Sequence, residues 1–372
     1  MSIKVFALTH KQFDVPADKT YEPLHVGRAC AKYLGYRGDN TGDNISDKNC
    51  YYSELTGVYW IWKNYHDADY VGVCHYRRYL LNEQEKVFTA SEMENILKSY
   101  DIITSKCLDL NFSYYYGFGE NHNIDDLLAT EKVIKEKYPE YYETYHRLVH
   151  QNHTYFGNIM ICKKELFDDY CAWLFDIFSE VEKHVCFDDY DDYHKRVYGF
   201  ISEFLLYVWV TYHNLSVYKS KVGIIGEKCE THEIKKRLVA YLKEKDTEGA
   251  KAYFTKAFEK RPDVLMEASD INDELHLIIQ AVSTASLEQQ LNNGHSILDS
   301  IDDYEPLLSY FRKLNAVVNH FRAKEQTPDD IQYLQTSAVS DTAIQISARL
   351  FCPTEENCVQ TIQAMIEARK TK

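Results

Sequence analysis

The chain has 372 residues, a formal net charge of −15 and a hydrophobic fraction of 45%, an ordinary globular composition with room for two domains. The acidic balance excludes a nucleic-acid scaffold, which needs a basic face. It does not exclude a nucleotide ligand, because one diphosphate needs only a few local donors.

No run of about 18 apolar residues is present, so nothing reads as a membrane-spanning helix. The N-terminal MSIKVFALTHK has no charged region followed by an apolar one, and so does not read as a signal peptide. The ten cysteines are scattered without a CxxC pair, which reads as reduced core thiols in a cytoplasmic protein. Most of the 31 tyrosines, and Trp60, Trp62, Trp173 and Trp209, lie before residue 230. That asymmetry separates two regions, and tyrosine's ring and hydroxyl suit stacking on bases and sugars.

Residues 3–8 predict a first buried strand, ending in the polar Thr9, His10 and Lys11. Residues 21–36 hold a Pro, a Gly and a short amphipathic piece, and 37–50 are dense in Gly, Asn and Asp, which predicts a loop. A helix follows from Ser53, its expected cap, with apolar residues at helical spacing. Residues 69–74 predict a second strand running into HYRRYL. Residues 91–100 predict a helix with Ser91 and Glu94 as a capping box, and 101–104 a third strand. Residues 124–150 look helical, interrupted by Pro139, and 155–162 read as another strand. Residues 165–183 and 196–213 predict helices around an acidic DDYDDY loop. Strands alternating with helices predict an α/β domain with a parallel or mixed sheet. From residue 231 the pattern is helical throughout, without a fixed repeat period. The expected division is 1–228 for the α/β domain and 229–372 for a helical appendage.

Four segments could carry chemistry. In YVGVCHYRRYL a strand delivers His75, Arg77 and Arg78 at its C-terminal end, where ligands bind in open α/β sheets. Paired guanidinium groups can hold a diphosphate, and His75 can donate to a phosphate or act as acid or base. Residues 40–56, with Asn44, Glu54 and Thr56, offer hydrogen bonds suited to sugar hydroxyls. Gly157 and Asn158 suggest backbone approaching a ligand. Glu203, among Phe200, Phe204 and Tyr207, is placed for a raised pKa and a general-base role. Each segment also has a structural reading: a salt-bridge cluster, a helix-dipole partner, a bulge and an arginine pair. No GxGxxG, Walker A, HExxH or GxSxG motif occurs. Asp67 and Asp69 have DxD spacing but precede their strand, so no metal ligands are predicted and arginines would supply the counter-charge.

The segments SELTGVYWIWKN, DYVGVCHYRRYL, YDIITSK, NIMICKKELFDDYCAWLFDIF and RVYGFISEFLL resemble the bacterial family labelled domain of unknown function 4422, over about residues 3–225. The resemblance implies a GT-A-like, Rossmann-type nucleotide-sugar domain. It also implies a glycosyltransferase of capsular polysaccharide or exopolysaccharide biosynthesis, with galactofuranose or galactose as the transferred sugar. By position it implies signature roles for His75, Tyr76, Arg77 and Arg78. Glu54, Thr56 and Trp60 fall in the preceding block, Asn158 in a strand lining the sugar site, and Glu203 at a late acidic position. Phe204 departs from the Arg expected after that acid.

The expected mechanism has Thr9, His10, Lys11, Arg77, Arg78 and Asn158 binding a UDP-sugar donor. Asn44, Glu54, Thr56 and Trp60 meet the acceptor or sugar, and Glu203 and His75 act in catalysis. No cofactor is called for. The expected acceptor is lipid-linked or an oligosaccharide, at the cytoplasmic face of the membrane. For the helical tail, membrane-surface docking, capping and homodimerisation are all open. The alternative from a different class is a non-catalytic carbohydrate-binding or assembly module of a polysaccharide synthesis complex.

Overall fold

The computed structural model describes residues 2–265, 269–270, 272–337 and 339–370. The chain divides into two compact units, Met1–Ile225 and Gly226–Lys372, just ahead of the division read from composition.

The first unit carries strands β1 (Ile3–Thr9), β2 (Tyr21–His25), β3 (Arg37–Gly38), β4 (Tyr70–His75), β5 (Arg78–Leu81), β6 (Ile102–Ser105), β7 (Leu108–Asp109), β8 (His153–Thr154), β9 (Met160–Lys163) and β10 (Val217–Ile224). Its helices are α1 (Asn49–Tyr52), α2 (Leu55–Asn64), α3 (Ala90–Ile96), α4 (Tyr114–Asn121), α5 (Ile124–Lys137), α6 (Pro139–Val149), α7 (Lys164–Val181) and α8 (Val197–Tyr212). β7 and β8 form a separate ribbon. The main sheet is mixed. β1 runs parallel to β2 and β4, and β9 runs antiparallel to both β4 and β6. β10 joins β6 to β5, and β5 returns to β4 through the pair His75 and Arg78. The pairings β4–β9–β6–β10–β5–β4 therefore close into a ring.

Alternation along β1 explains the layering. Phe6 and Leu8 point into the larger core beneath α2, α7 and α8. Val5 and Ala7 join the core beneath α3, with Phe88 and Met93.

Several boundaries differ from the sequence reading for physical reasons. β2 forms despite Pro23, because β3 covers only Leu24 and His25 and leaves Pro23 on a free edge. β10 is not among the predicted strands. The capping box of α3 lies two residues early: Thr89 receives the Glu92 amide, and Glu92 accepts from the Thr89 amide at 2.8 Å. Ser53 does not cap α2 and instead accepts from Arg196 at 2.9 Å. The predicted strand at 155–162 begins only at Met160, because Gly157 and Asn158 adopt left-handed φ values of 90° and 48°. Pro139 separates two helices by opening the second. The cysteines are not all core thiols: Cys74, Cys162, Cys171 and Cys358 are buried, but Cys30, Cys50 and Cys186 are exposed.

In the second unit the described residues form helices α9 (Cys229–Lys243), α10 (Thr247–Lys260), α11 (Glu274–Leu291), α12 (Tyr304–Ala323), α13 (Pro328–Thr336), α14 (Asp341–Phe351) and α15 (Glu355–Lys370). They pack on a core of their own, centred on Ile278, Phe311, Leu314 and Ile344. Lys235 is buried there between Glu227 and Glu274, each 2.6 Å away. Among the described residues no helix is long and apolar enough to cross a membrane.

Helix α2 sits hard against the sheet at Gly57, where an added Cβ would lie 2.7 Å from Val26 and 2.8 Å from Leu8. Gly57→Val is expected to cost about 1–3 kcal/mol by overpacking. Tryptophan fluorescence in urea reads this directly, since every tryptophan lies in the first unit. An unchanged midpoint would show that the helix does not need this close approach.

Candidate functional site

Because β1 and β4 are parallel with Leu8 opposite His75, their C-terminal ends lie side by side. The Tyr76 amide donates to the Leu8 carbonyl at 3.1 Å, which sets the end of β4 against Thr9 and His10. The His10 ring stands edge-on to Tyr76 at 5.3 Å, and Phe13 approaches Tyr76 and Tyr36 at 5.9 Å. The chain then turns through Tyr76 and Arg77 into β5. The Ile225 amide holds the Arg77 carbonyl at 2.7 Å, and the Tyr79 hydroxyl holds that of Tyr76. Both arginines thus come from one pinned turn. Arg77 is buried, and Arg78 lies over the Phe156 ring at 4.4 Å.

Opposite this turn, the left-handed loop at Gly157 and Asn158 ties two carboxyl groups into the same place. Asn158 donates to Glu54 at 2.8 Å and to the Gly199 carbonyl at 3.1 Å, and accepts from Ser202 at 3.0 Å. Glu203 accepts from the Gly157 amide. Glycine adopts the left-handed region without steric cost, and asparagine tolerates it better than most residues. Ser53 is also held at φ 51°, where its hydroxyl meets Arg196.

The electrostatics follow from burial. It pushes Glu203 up to about 8; Arg78 pulls it back and Glu54 pushes it further up. Burial also lowers Arg78, opposed by Glu203 and then Glu54. His75 is held well below its ordinary value by burial and by Arg78, His10, Arg77 and Arg196. It is therefore a neutral imidazole, able to donate through one ring N–H. Its Nδ1, like Arg78 Nε, is buried without a partner among the described residues.

The structure therefore brings together His10, His75, Arg77, Arg78, Glu54, Asn158 and Glu203. Other candidates are not brought to this cluster. The Thr9 hydroxyl bonds both the amide and the carbonyl of Lys11, and so shapes that loop. Lys11 is exposed. Asn44 bonds Gly42 and Ser46 within its own loop. Thr56 is buried and bonded to Ser53 and Asn49. Trp60 is a core residue whose indole donates to Thr41. Sequence reasoning did not single out Ser53, Arg196 or Ser202. Arg196 and Ser202 lie inside the RVYGFISEFLL segment, so proximity to Glu203 was the available signal.

Asp69, from the DxD-spaced pair, accepts from Ser2 at 2.8 Å. Within the second unit, Asp270, Asp273 and His276 have potential metal-ligand atoms within 4.8 Å, but His276 is already bonded to both acids.

A mixed α/β unit thus gathers arginines, an imidazole and two helix-borne carboxyl groups beside the adjoining ends of β1 and β4. The family model described as domain of unknown function DUF4422 matches residues 4–214, and the chain belongs to that family. The structure is similar to the apo structure of the WbbM bifunctional glycosyltransferase, with a TM-score of 0.57 and 29% identity over 61% of this chain and 46% of that one. The chain thus spans about half the length of that protein. No curated protein matches.

Glu203 also makes a thermodynamic signature. With its native pKa near 8 and its ordinary value at 4.5, the folded chain holds a proton that the unfolded chain releases between those values. The stabilisation is complete below the lower value and is lost as pH rises through the upper one. The unfolding midpoint of the wild type is expected to fall across this window relative to that of Glu203→Gln. Parallel pH profiles for the two proteins would contradict it.

Proposed function

We propose that this protein transfers a sugar, galactofuranose or galactose, from a UDP-sugar to a surface-polysaccharide acceptor. The observation that carries the proposal is the convergence of Arg78, Glu203, Asn158 and Glu54 at the strand end that also presents His75 and Arg77. The nucleoside lies against the end of β1, where His10, Phe13 and Tyr76 offer rings for stacking. The diphosphate meets Arg77 and Arg78, with His75 as a neutral donor, and the transferred sugar lies beside Asn158 and Glu54.

Glu203 takes the proton of the acceptor hydroxyl. That oxygen forms its bond to the anomeric carbon as the bond from this carbon to the diphosphate oxygen breaks, and UDP departs with the electron pair. The guanidinium groups stabilise the charge that grows on the leaving group, and they are already oriented before reaction. Tying Glu54 and Glu203 through one loop keeps the sugar-binding and proton-accepting groups in fixed register.

A base must be ionised, so kcat is expected to rise with pH and level off above about 8, the value to which Glu203 is pushed. Glu203→Gln should lower kcat by about 10²–10⁴-fold, with little change in donor KM. Arg78→Gln removes the charge that holds the Glu203 pKa down, so its kcat limb should move to higher pH. A pH–rate profile unchanged in Arg78→Gln would detach Glu203 from the base role. Arg77→Ala should weaken UDP binding by isothermal titration and abolish turnover in a protein that still shows the native circular dichroism. Full activity in that variant would discard the diphosphate role.

A further inference from the structure

Helix α8 is buried along nearly its whole length, and the exceptions fall on one line. From Arg196, just ahead of the helix, to Val210, the residues that retain exposure are Arg196, Phe200, Glu203 and Tyr207; every position between them is buried. At 3.6 residues per turn these four lie within about 60° of one another. The positions of the helix that are not fully buried thus form a single stripe, which reads guanidinium, ring, carboxyl, ring.

The surroundings of the stripe continue the pattern. His122 stacks on Phe200 with centroids 4.3 Å apart, and Tyr193 stands 5.1 Å from the same ring. Tyr155 meets Tyr207 edge-on at 5.3 Å. Arg196 lies over Phe200 at 5.5 Å while its Nε holds Ser53. An apolar helix or a lipid would be met by a continuous apolar face, not one interrupted by a carboxyl and a guanidinium. Rings alternating with charged hydrogen-bonding groups suit a ligand with apolar C–H faces and hydroxylated edges, which is a saccharide.

Spacing sets the length of that ligand. Seven residues of helix put Phe200 and Tyr207 about 10 Å apart along the axis, comparable with two linked sugar rings, and Glu203 falls between them. We infer that α8 is the floor of an acceptor groove that takes an oligosaccharide of two or more sugars. One sugar rests against Phe200 and another against Tyr207, so that the hydroxyl to be glycosylated lies over Glu203. This rests on Glu203 serving as the base of a glycosyl transfer.

The test is isothermal titration of the full chain, with and without saturating UDP. The probes are di- and trisaccharides of glucose, galactose and mannose, against the corresponding methyl glycosides. At least one oligosaccharide series should bind about tenfold more tightly than its methyl glycoside. Phe200→Ala and Tyr207→Ala should each weaken that binding about fivefold, the size of one lost stacking contact, with UDP affinity held. Phe200→Leu and Tyr207→Leu keep apolar bulk without a ring and should show the same loss if stacking is responsible. Equal affinity for mono- and oligosaccharides, no saccharide binding in any series, or oligosaccharide binding untouched by both ring deletions would overturn the groove. Failure of the wild type to bind UDP would instead defeat the donor assignment, and the saccharide titrations without UDP would still decide the groove.

Discussion

The electrostatic interaction between Arg78 and Glu203, both withdrawn from water, is the constraint around which the first unit's strand-end cluster is built. A carboxyl and a guanidinium withdrawn together from water are tolerable only while each supports the other. Here the compensation is incomplete, since burial still outweighs Arg78 at Glu203 and the acid is held toward its neutral form. The protein keeps this arrangement by surrounding it with fixed groups. The Gly157 amide, the Asn158 amide group and the phenyl ring of Phe156 all come from one short segment. That segment adopts left-handed backbone, so the local conformational cost and the electrostatic cost are concentrated at the same few residues. Such concentration is more typical of sites that do work than of cores that merely hold together.

The parts of this arrangement visible in the amino-acid sequence are those in which local pattern and chemistry coincide. HYRRY follows a run of buried β-formers, so the delivery of His75 and both arginines to a strand end can be read directly. Glu203 stands out because a carboxylate among aromatic residues on a long apolar helix has few bland explanations. The bond between Glu54 and Asn158 is hidden, because more than a hundred residues separate two candidates that were each read on their own. Arg196 and Ser53 are hidden for a similar reason: a helix-start serine reads first as a cap, and only tertiary contact shows its hydroxyl engaged elsewhere.

Elements were legible to the same degree. Long periodic helices such as α7 and α8 stand close to their predicted limits, because their burial pattern is set within the segment. β2 and β10 are missed because their strand character depends on a distant partner. Pro23 argues against a strand until the short span of β3 is known, and β10 is half exposed with lysines along it. Many of the first unit's rings are core packing, as with Tyr114 stacked on Phe204 at 4.3 Å, while others such as Phe200, stacked on His122, line the partly buried face of α8.

The ring of strand pairings has a consequence for biosynthesis. β4 and β5 are complete once residue 81 has left the ribosome, yet β5 has only the His75–Arg78 pair and a bridge from Leu81 to Val87 to hold it until β10 arrives. The turn bearing both arginines likewise lacks its bond at the Arg77 carbonyl until Ile225 is made. The nascent chain must therefore carry an open strand edge through the synthesis of well over a hundred further residues. Non-local closure of this kind is slow and leaves such edges available for wrong pairing. Premature termination before β10 would leave a chain with most of its helices but no finished arginine turn.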